Sequence, residues 1–160
     1  MIGFSAILAS VFVLMHLQGV DHIAGPVATD VVEVIDGDTI AVRAHIWPGH
    51  FVETRVRLDG VDTPETRRPD CEAEREAGHR ATAFTRDWLA AHPEISLHNV
   101  RLGSFAGRVI ADMRAQEQAG SESMGLSDAL LAANLAVPYG EDGPWCHPSS
   151  ASGPVQSRPR

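Results

Sequence analysis

Val31-Val32-Glu33-Val34-Ile35-Asp36-Gly37-Asp38-Thr39-Ile40-Ala41-Val42 is rich in β-branched residues and is broken once, at Asp36-Gly37-Asp38. β-Branched side chains suit an extended, half-buried backbone, whereas clustered Asp and Gly favour a tight turn. The stretch therefore predicts two strands joined through Asp36–Asp38. Pro48-Gly49 marks the next turn, after which Phe51 to Leu58 alternates. Val52, Thr54, Val56 and Leu58 share one face, and Glu53, Arg55 and Arg57 the other. Three such strands in succession read as a meander.

Beyond it the period changes. Ala73, Ala77, Ala81, Phe84 and Trp88 recur at steps of three and four, the spacing of one helix face. That helix is expected to end near Ala91, because Pro93 disfavours helical backbone just before it. Ile95–Val100 and Arg108–Met113 read as two further strands, and Gln116–Ser123 as a polar loop. Ser127 or Asp128 is expected to cap a second helix running through Ala133, with Leu130 and Leu131 inward.

The whole chain has 160 residues, 44% hydrophobic and 21% charged, an ordinary globular balance for one domain. Thirteen arginines, with no lysine, face twenty-one acidic residues, for a formal net charge of -8. That excludes a binder that attracts nucleic acid through a generally basic surface. Met1–Val20 carries no charged side chain, so residues 1–25 are expected to be a signal peptide or N-terminal membrane anchor; a buried helix is the other reading. Residues 26–140 then form the folded domain. Residues 141–160 form a Pro/Ser/Gly-rich tail that Cys146 would tether to Cys71. An even cysteine count suits a secreted or periplasmic protein, and closing so long a loop stabilises by roughly 4 kcal/mol on the chain-entropy model.

Chemistry concentrates between Asp30 and Glu65, where eight carboxylates face three arginines. Carboxylates gathered at strand ends repel unless a cation lies among them, and oxygen-only donors favour a hard ion such as calcium. A solvated acidic rim with Asp-Gly turns is the competing reading. The eight histidines include no HExxH pair, and no closely spaced cysteine pair accompanies them to complete a zinc-finger set. Arg57 and Arg108 narrow the choice. Phosphodiester cleavage adds negative charge to the equatorial oxygens of phosphorus, and guanidinium forks bind such oxygens bidentately without losing their protons. A carboxylate such as Glu65 would accept or position the proton of an attacking water. Arg67, Arg68, Arg75 and Arg80 are expected to pair with Glu72, Glu74 and Glu76 along the helix.

Val34-Ile35-Asp36-Gly37-Asp38-Thr39, then Arg57 followed by Val61-Asp62-Thr63-Pro64-Glu65, then Gly107-Arg108-Val109-Ile110-Ala111 resemble the staphylococcal nuclease (thermonuclease) family in order and spacing, from about Thr29 to Tyr139. The resemblance implies an OB-type five-stranded β-barrel with two to three α-helices, mainly β in an α+β class. It implies calcium held by Asp38 and Asp62 with the backbone carbonyl of Thr63. Glu65 would activate or position water, and Arg57 and Arg108 would bind phosphate. The implied reaction is calcium-dependent hydrolysis of DNA and RNA, cleaving the 5′ P–O bond to leave 3′-phosphate ends, in an expected monomer. It further implies that Glu65→Ala or Arg57→Ala abolishes turnover with the fold intact. The chain departs from the family at Ser104, Phe105 and Ala106, where an Asp-Lys-Tyr run is usual, and at Asn134, where Gly is common. Tyr139 would stand in for a family tyrosine that packs on the nucleotide. The alternative is a non-catalytic OB-type module of the envelope that binds nucleic acid or protein.

Overall fold

The strand–turn–strand at Asp36–Asp38 forms as an antiparallel pair, β1 (Val27–Val34) and β2 (Thr39–Trp47), in a computed structural model that describes residues 21–105, 107–115 and 125–146. β3 (His50–Leu58) pairs antiparallel with β2, completing the meander. β4 (Ile95–Leu102) pairs with β1 on one side and with β5 (Arg108–Ala115) on the other, and β5 returns parallel to β3. The circuit closes a five-stranded mixed barrel of OB type, which leaves none of the five as a free edge. Short pairs, His22–Ile23 on β4 and Val61–Asp62 with Val137–Pro138, extend it.

Strand boundaries run longer than the sequence predicts. β1 begins at Val27 because β4 supplies partners there, with Val27 opposite Leu97 and Thr29 opposite Ile95. Pairing skips a residue near Val32 and near Ile46, and shifts again between His98 and Arg101. Such bulges bend strands and help a sheet curl closed. Ile40, Val42, Val56, Leu58, Leu97 and Met113 fill the interior, with Leu126 and Leu130 against one end. Each such side chain contributes about 1.5–3 kcal/mol by leaving water.

α1 (Glu72–Ala91) ends where Pro93 requires; its inward face includes the expected Ala77 and Ala81, with Phe84 and Trp88 packed against the core at its margin, but is centred elsewhere. Ala77, Gly78, Ala81, Thr82, Thr85 and Leu89 are buried; Ala73 is exposed, and Phe84 and Trp88 are half-buried. The reason is close approach. A Cβ on Gly37 would lie 2.8–2.9 Å from Thr63 and Ala81, and one on Gly78 would lie 2.6 Å from the Pro64 carbonyl. Small residues let α1 lie directly on the Asp36–Asp38 turn and on Thr63–Thr66.

α2 (Leu126–Ala132) is capped by Gly125 rather than by Ser127 or Asp128. Ser127 lies inside the helix, and its hydroxyl donates to the Asp59 carbonyl at 3.0 Å. Leu130 is buried and Leu131 half-buried, and Asn134 takes the left-handed backbone (φ 55°) that follows the helix end. Cys71 and Cys146 form a disulfide with Cα atoms 5.8 Å apart. Among the described residues no helix is long and apolar enough to cross a membrane. Residues 1–20 of the expected leader (1–25), the 116–123 loop and residues 147–160 of the tail lie outside the described residues; within 21–25, His22–Ile23 pairs with β4.

Gly37→Ala should lower stability by about 1–3 kcal/mol through overpacking against Thr63 and Ala81, measurable by urea unfolding. A pH test follows from Asp59, whose carboxylate accepts a two-pronged bond from Arg101 at 2.6 and 2.8 Å. That hydrogen bond holds the Asp59 pKa below its ordinary value. Its stabilisation is therefore present above the unfolded pKa of about 3.9 and disappears as pH falls through the lower folded value. Asp59→Asn should cost less than about 1 kcal/mol at neutral pH, since the pair is part-exposed, and nothing in acid.

Candidate functional site

The Asp36–Asp38 turn is held from three directions. Within it, the Asp38 amide donates to Asp36 Oδ1 at 3.2 Å, an Asx-type turn. From β3, the Leu58 amide donates to the Asp38 carbonyl at 2.8 Å. From α1, the buried Thr85 hydroxyl donates to the Gly37 carbonyl at 2.6 Å. Asp38 is consequently fixed and only 6% exposed. Its Oδ2 accepts from the Thr63 amide (2.8 Å) and the Thr63 hydroxyl (2.7 Å), and its Oδ1 from the Thr39 hydroxyl (3.1 Å).

Arg57 reaches the same place from β3, where it stands opposite Thr39. Its Nη2 donates to Asp62 Oδ1, and its Nη1 lies against Asp38 Oδ2 without the angle of a hydrogen bond. Asp62 Oδ2 also accepts from the Gly140 amide at 3.1 Å. Burial lowers the Arg57 pKa, while Asp62 and Asp36 oppose that shift. A guanidinium nonetheless stays protonated at any working pH. The positive charge that the clustered carboxylates require is thus supplied, in this arrangement, by Arg57.

Arg108 enters on the neighbouring strand, opposite Arg55 in the parallel β3–β5 pair. Its Nε is buried with no hydrogen-bond partner among the described residues, and its guanidinium lies 4.7 Å from the Phe105 ring centre. Glu65 is exposed, on a segment anchored by Glu74, which accepts from the Glu65 amide (3.3 Å) and the Asp70 amide (2.6 Å).

All six residues singled out in the sequence, Asp38, Arg57, Asp62, Thr63, Glu65 and Arg108, line one polar pocket of about 280 Å³. Asp36, Thr66 and Tyr139 line it as well. A second pocket of about 360 Å³ shares Asp36, Thr39 and Arg108 and adds Glu33, Arg55, Arg67 and Phe105. Through the shared residues the two adjoin as one groove, in which the second pocket adds two arginines and an exposed aromatic ring. The expected helix-face ion pairs are largely replaced: among the described residues only Arg75 pairs, with Glu72 at 3.2 Å, and Glu74 serves the loop instead. Pattern reading missed Thr85 and the amide and hydroxyl of Thr63. A threonine on a helix carries no local sign that it reaches a turn 48 residues away.

Calcium is the cation that the sequence implies. Among the described residues no three His, Cys, Asp or Glu side chains form a ligand cluster. Two carboxylates, Asp38 and Asp62, do converge, and the remaining donors would be backbone oxygen and water. That donor set is chemically suited to a hard cation that keeps part of its hydration.

Arg57→Ala should lower stability by about 2–3 kcal/mol, because it leaves two neighbouring carboxylates, one of them buried, without their counter-charge. This revises the expectation of an undisturbed fold. Urea unfolding of the variant, with and without Asp62→Asn, checks it: removing the second charge should recover part of the loss. No protein-family model and no curated protein matches this chain.

Proposed function

We propose that this chain is a hydrolase that cleaves the 5′ P–O bond of DNA and RNA with calcium, leaving 3′-phosphate ends. The observation that carries the reading is the sharing of one pocket by Arg57, Arg108, Asp38, Asp62 and Glu65. Two arginines beside three carboxylates make little sense for a neutral ligand. They suit a phosphodiester that gains negative charge as it reacts.

The residues divide the work. Arg108 brings a buried donor with no hydrogen-bond partner among the described residues, which a phosphate oxygen would satisfy. Arg57 offers a second fork, held in place by Asp38 and Asp62. Preformed donors of this kind bind the charge of the transition state more strongly than that of the substrate, which is the condition for catalysis. Glu65, exposed at the pocket edge, accepts a proton from the attacking water as the new O–P bond forms and the bond to the 5′ oxygen breaks. Asp38 and Asp62, with the Thr63 carbonyl, would hold the calcium ion, whose charge polarises the phosphoryl group. Phe105, 67% exposed beside Arg108, offers a stacking platform worth ~1–3 kcal/mol per base. With a net charge of -8, attraction to the polyanion is confined to this groove, so affinity should fall steeply with salt. The disulfide and the charge-free first twenty residues support export to the periplasm or beyond.

Cleavage of labelled single-stranded DNA by the full chain, with calcium and with chelator in parallel, tests the reading. The expected result is calcium-dependent product ending in 3′-phosphate. Glu65→Gln should reduce kcat by about 10²–10⁴-fold and Arg108→Ala by about 10²–10³-fold, with unfolding midpoints near that of the parent. Tight binding of the DNA without cleavage by the folded parent would overturn catalysis and leave the envelope binding module.

A further inference from the structure

The opposite end of the barrel has a different chemistry. Ile46-Trp47-Pro48-Gly49-His50-Phe51-Val52, the tip of the β2–β3 hairpin, contains no Asp, Glu, Lys or Arg, and every one of its residues is exposed. Trp47 is 69% and Phe51 51% exposed. The register skips Ile46: Phe51 pairs with His45 on the outer face, where the Arg43 guanidinium lies 4.5 Å from its ring centre. Trp47 pairs with His50, their ring centres 6.4 Å apart, and Val52 pairs with Ala44 on the face that continues the barrel interior. There Ile46 and Val52 line an apolar mouth of about 200 Å³ together with Ile23, Leu97, Val100 and Val109. Apart from His50, the side chains of the tip are apolar where ordinary hairpin tips are polar.

The covering partner is indicated by the chain itself. Ile23 lines the mouth, and it follows, two residues on, the twenty-residue run Met1–Val20 that has no charged side chain. The described chain thus begins at the same end as the bare tip. A seven-residue tip is also small beside the about 20–30 residues per side of a specific protein interface. A bilayer needs no such area, since tryptophan and its apolar neighbours partition singly into the headgroup layer.

We propose that this barrel end is a membrane-contacting surface, in which Trp47, Phe51, Ile46 and Val52 insert at the lipid headgroup level. The candidate pocket begins at Thr39, the other end of β2, roughly 26 Å away at the strand rise of 3.3 Å per residue. The groove would then face water while the tip is in lipid. The acidic net charge offers no pull toward anionic headgroups, so contact would depend on apolar insertion and occur on uncharged bilayers. The proposal does not depend on the nuclease reading.

The test uses the full chain reconstituted with phosphatidylcholine vesicles in which some lipid carries bromine near the headgroup, a short-range quencher of tryptophan. Tryptophan emission should be quenched, and Trp47→Leu should remove more than half of the quenchable signal, because Trp88 lies on α1 and Trp145 beside the disulfide. A second measurement needs no variant: amide exchange across residues 46–52 should slow several-fold when vesicles are present. Emission that bromolipid does not quench, or quenching unchanged by Trp47→Leu, overturns the proposal. So does slowed exchange at the tip in the absence of lipid as protein concentration rises, which would assign the surface to a second copy of the chain.

Discussion

A single guanidinium, that of Arg57, lies against Asp38 and Asp62 and joins three parts of the chain that are otherwise separate: the turn between β1 and β2, strand β3, and the segment leading to Glu65. Two carboxylates, one of them almost fully buried, would not tolerate each other without it. The same contact makes the site a compromise. Arg57 answers a structural need for counter-charge and also stands where an anionic ligand would be held. In the proposed reaction both the carboxylates and the arginine would find additional partners, so occupancy of the site and the stability of this barrel end are linked by mass action.

Placement of that contact depends on close packing. Gly37 and Gly78 let α1 press against the turn and against Pro64, and Thr85 then ties the turn to the helix by a hydrogen bond. A site held by backbone and short side chains loses little freedom when it binds, which is the usual advantage of a preformed pocket. The disulfide Cys71–Cys146 closes the same region by fixing the start of α1.

The two ends of the barrel are chemically polarised. One gathers carboxylates, arginines and a polar groove; the other presents aliphatic and aromatic residues around an apolar mouth. A closed barrel makes this separation natural, since every strand runs from one end to the other and alternation along each strand is spent on inside and outside rather than on top and bottom.

Much of this was legible in the residues alone. The alternation in Phe51–Leu58, the Asp36-Gly37-Asp38 break and the three- and four-residue spacing of Ala77 and Ala81 are local properties, and local sterics and solvation suffice to turn them into strands, a turn and a helix. The six pocket residues were also visible, because carboxylates and arginines at strand ends are costly unless they serve a purpose. Tertiary structure alone decided the rest. The start of β1 at Val27 needed β4 as partner, the inward face of α1 needed the turn it rests on, and Thr85 had no meaning until Gly37 came within 2.6 Å. Above all, the place of Arg57 beside Asp38 and Asp62 was open in the sequence, where charge could be counted but not located. Folding brings Arg57 there because β2 and β3 pair with Thr39 opposite it, and register is a property of two strands together rather than of either one.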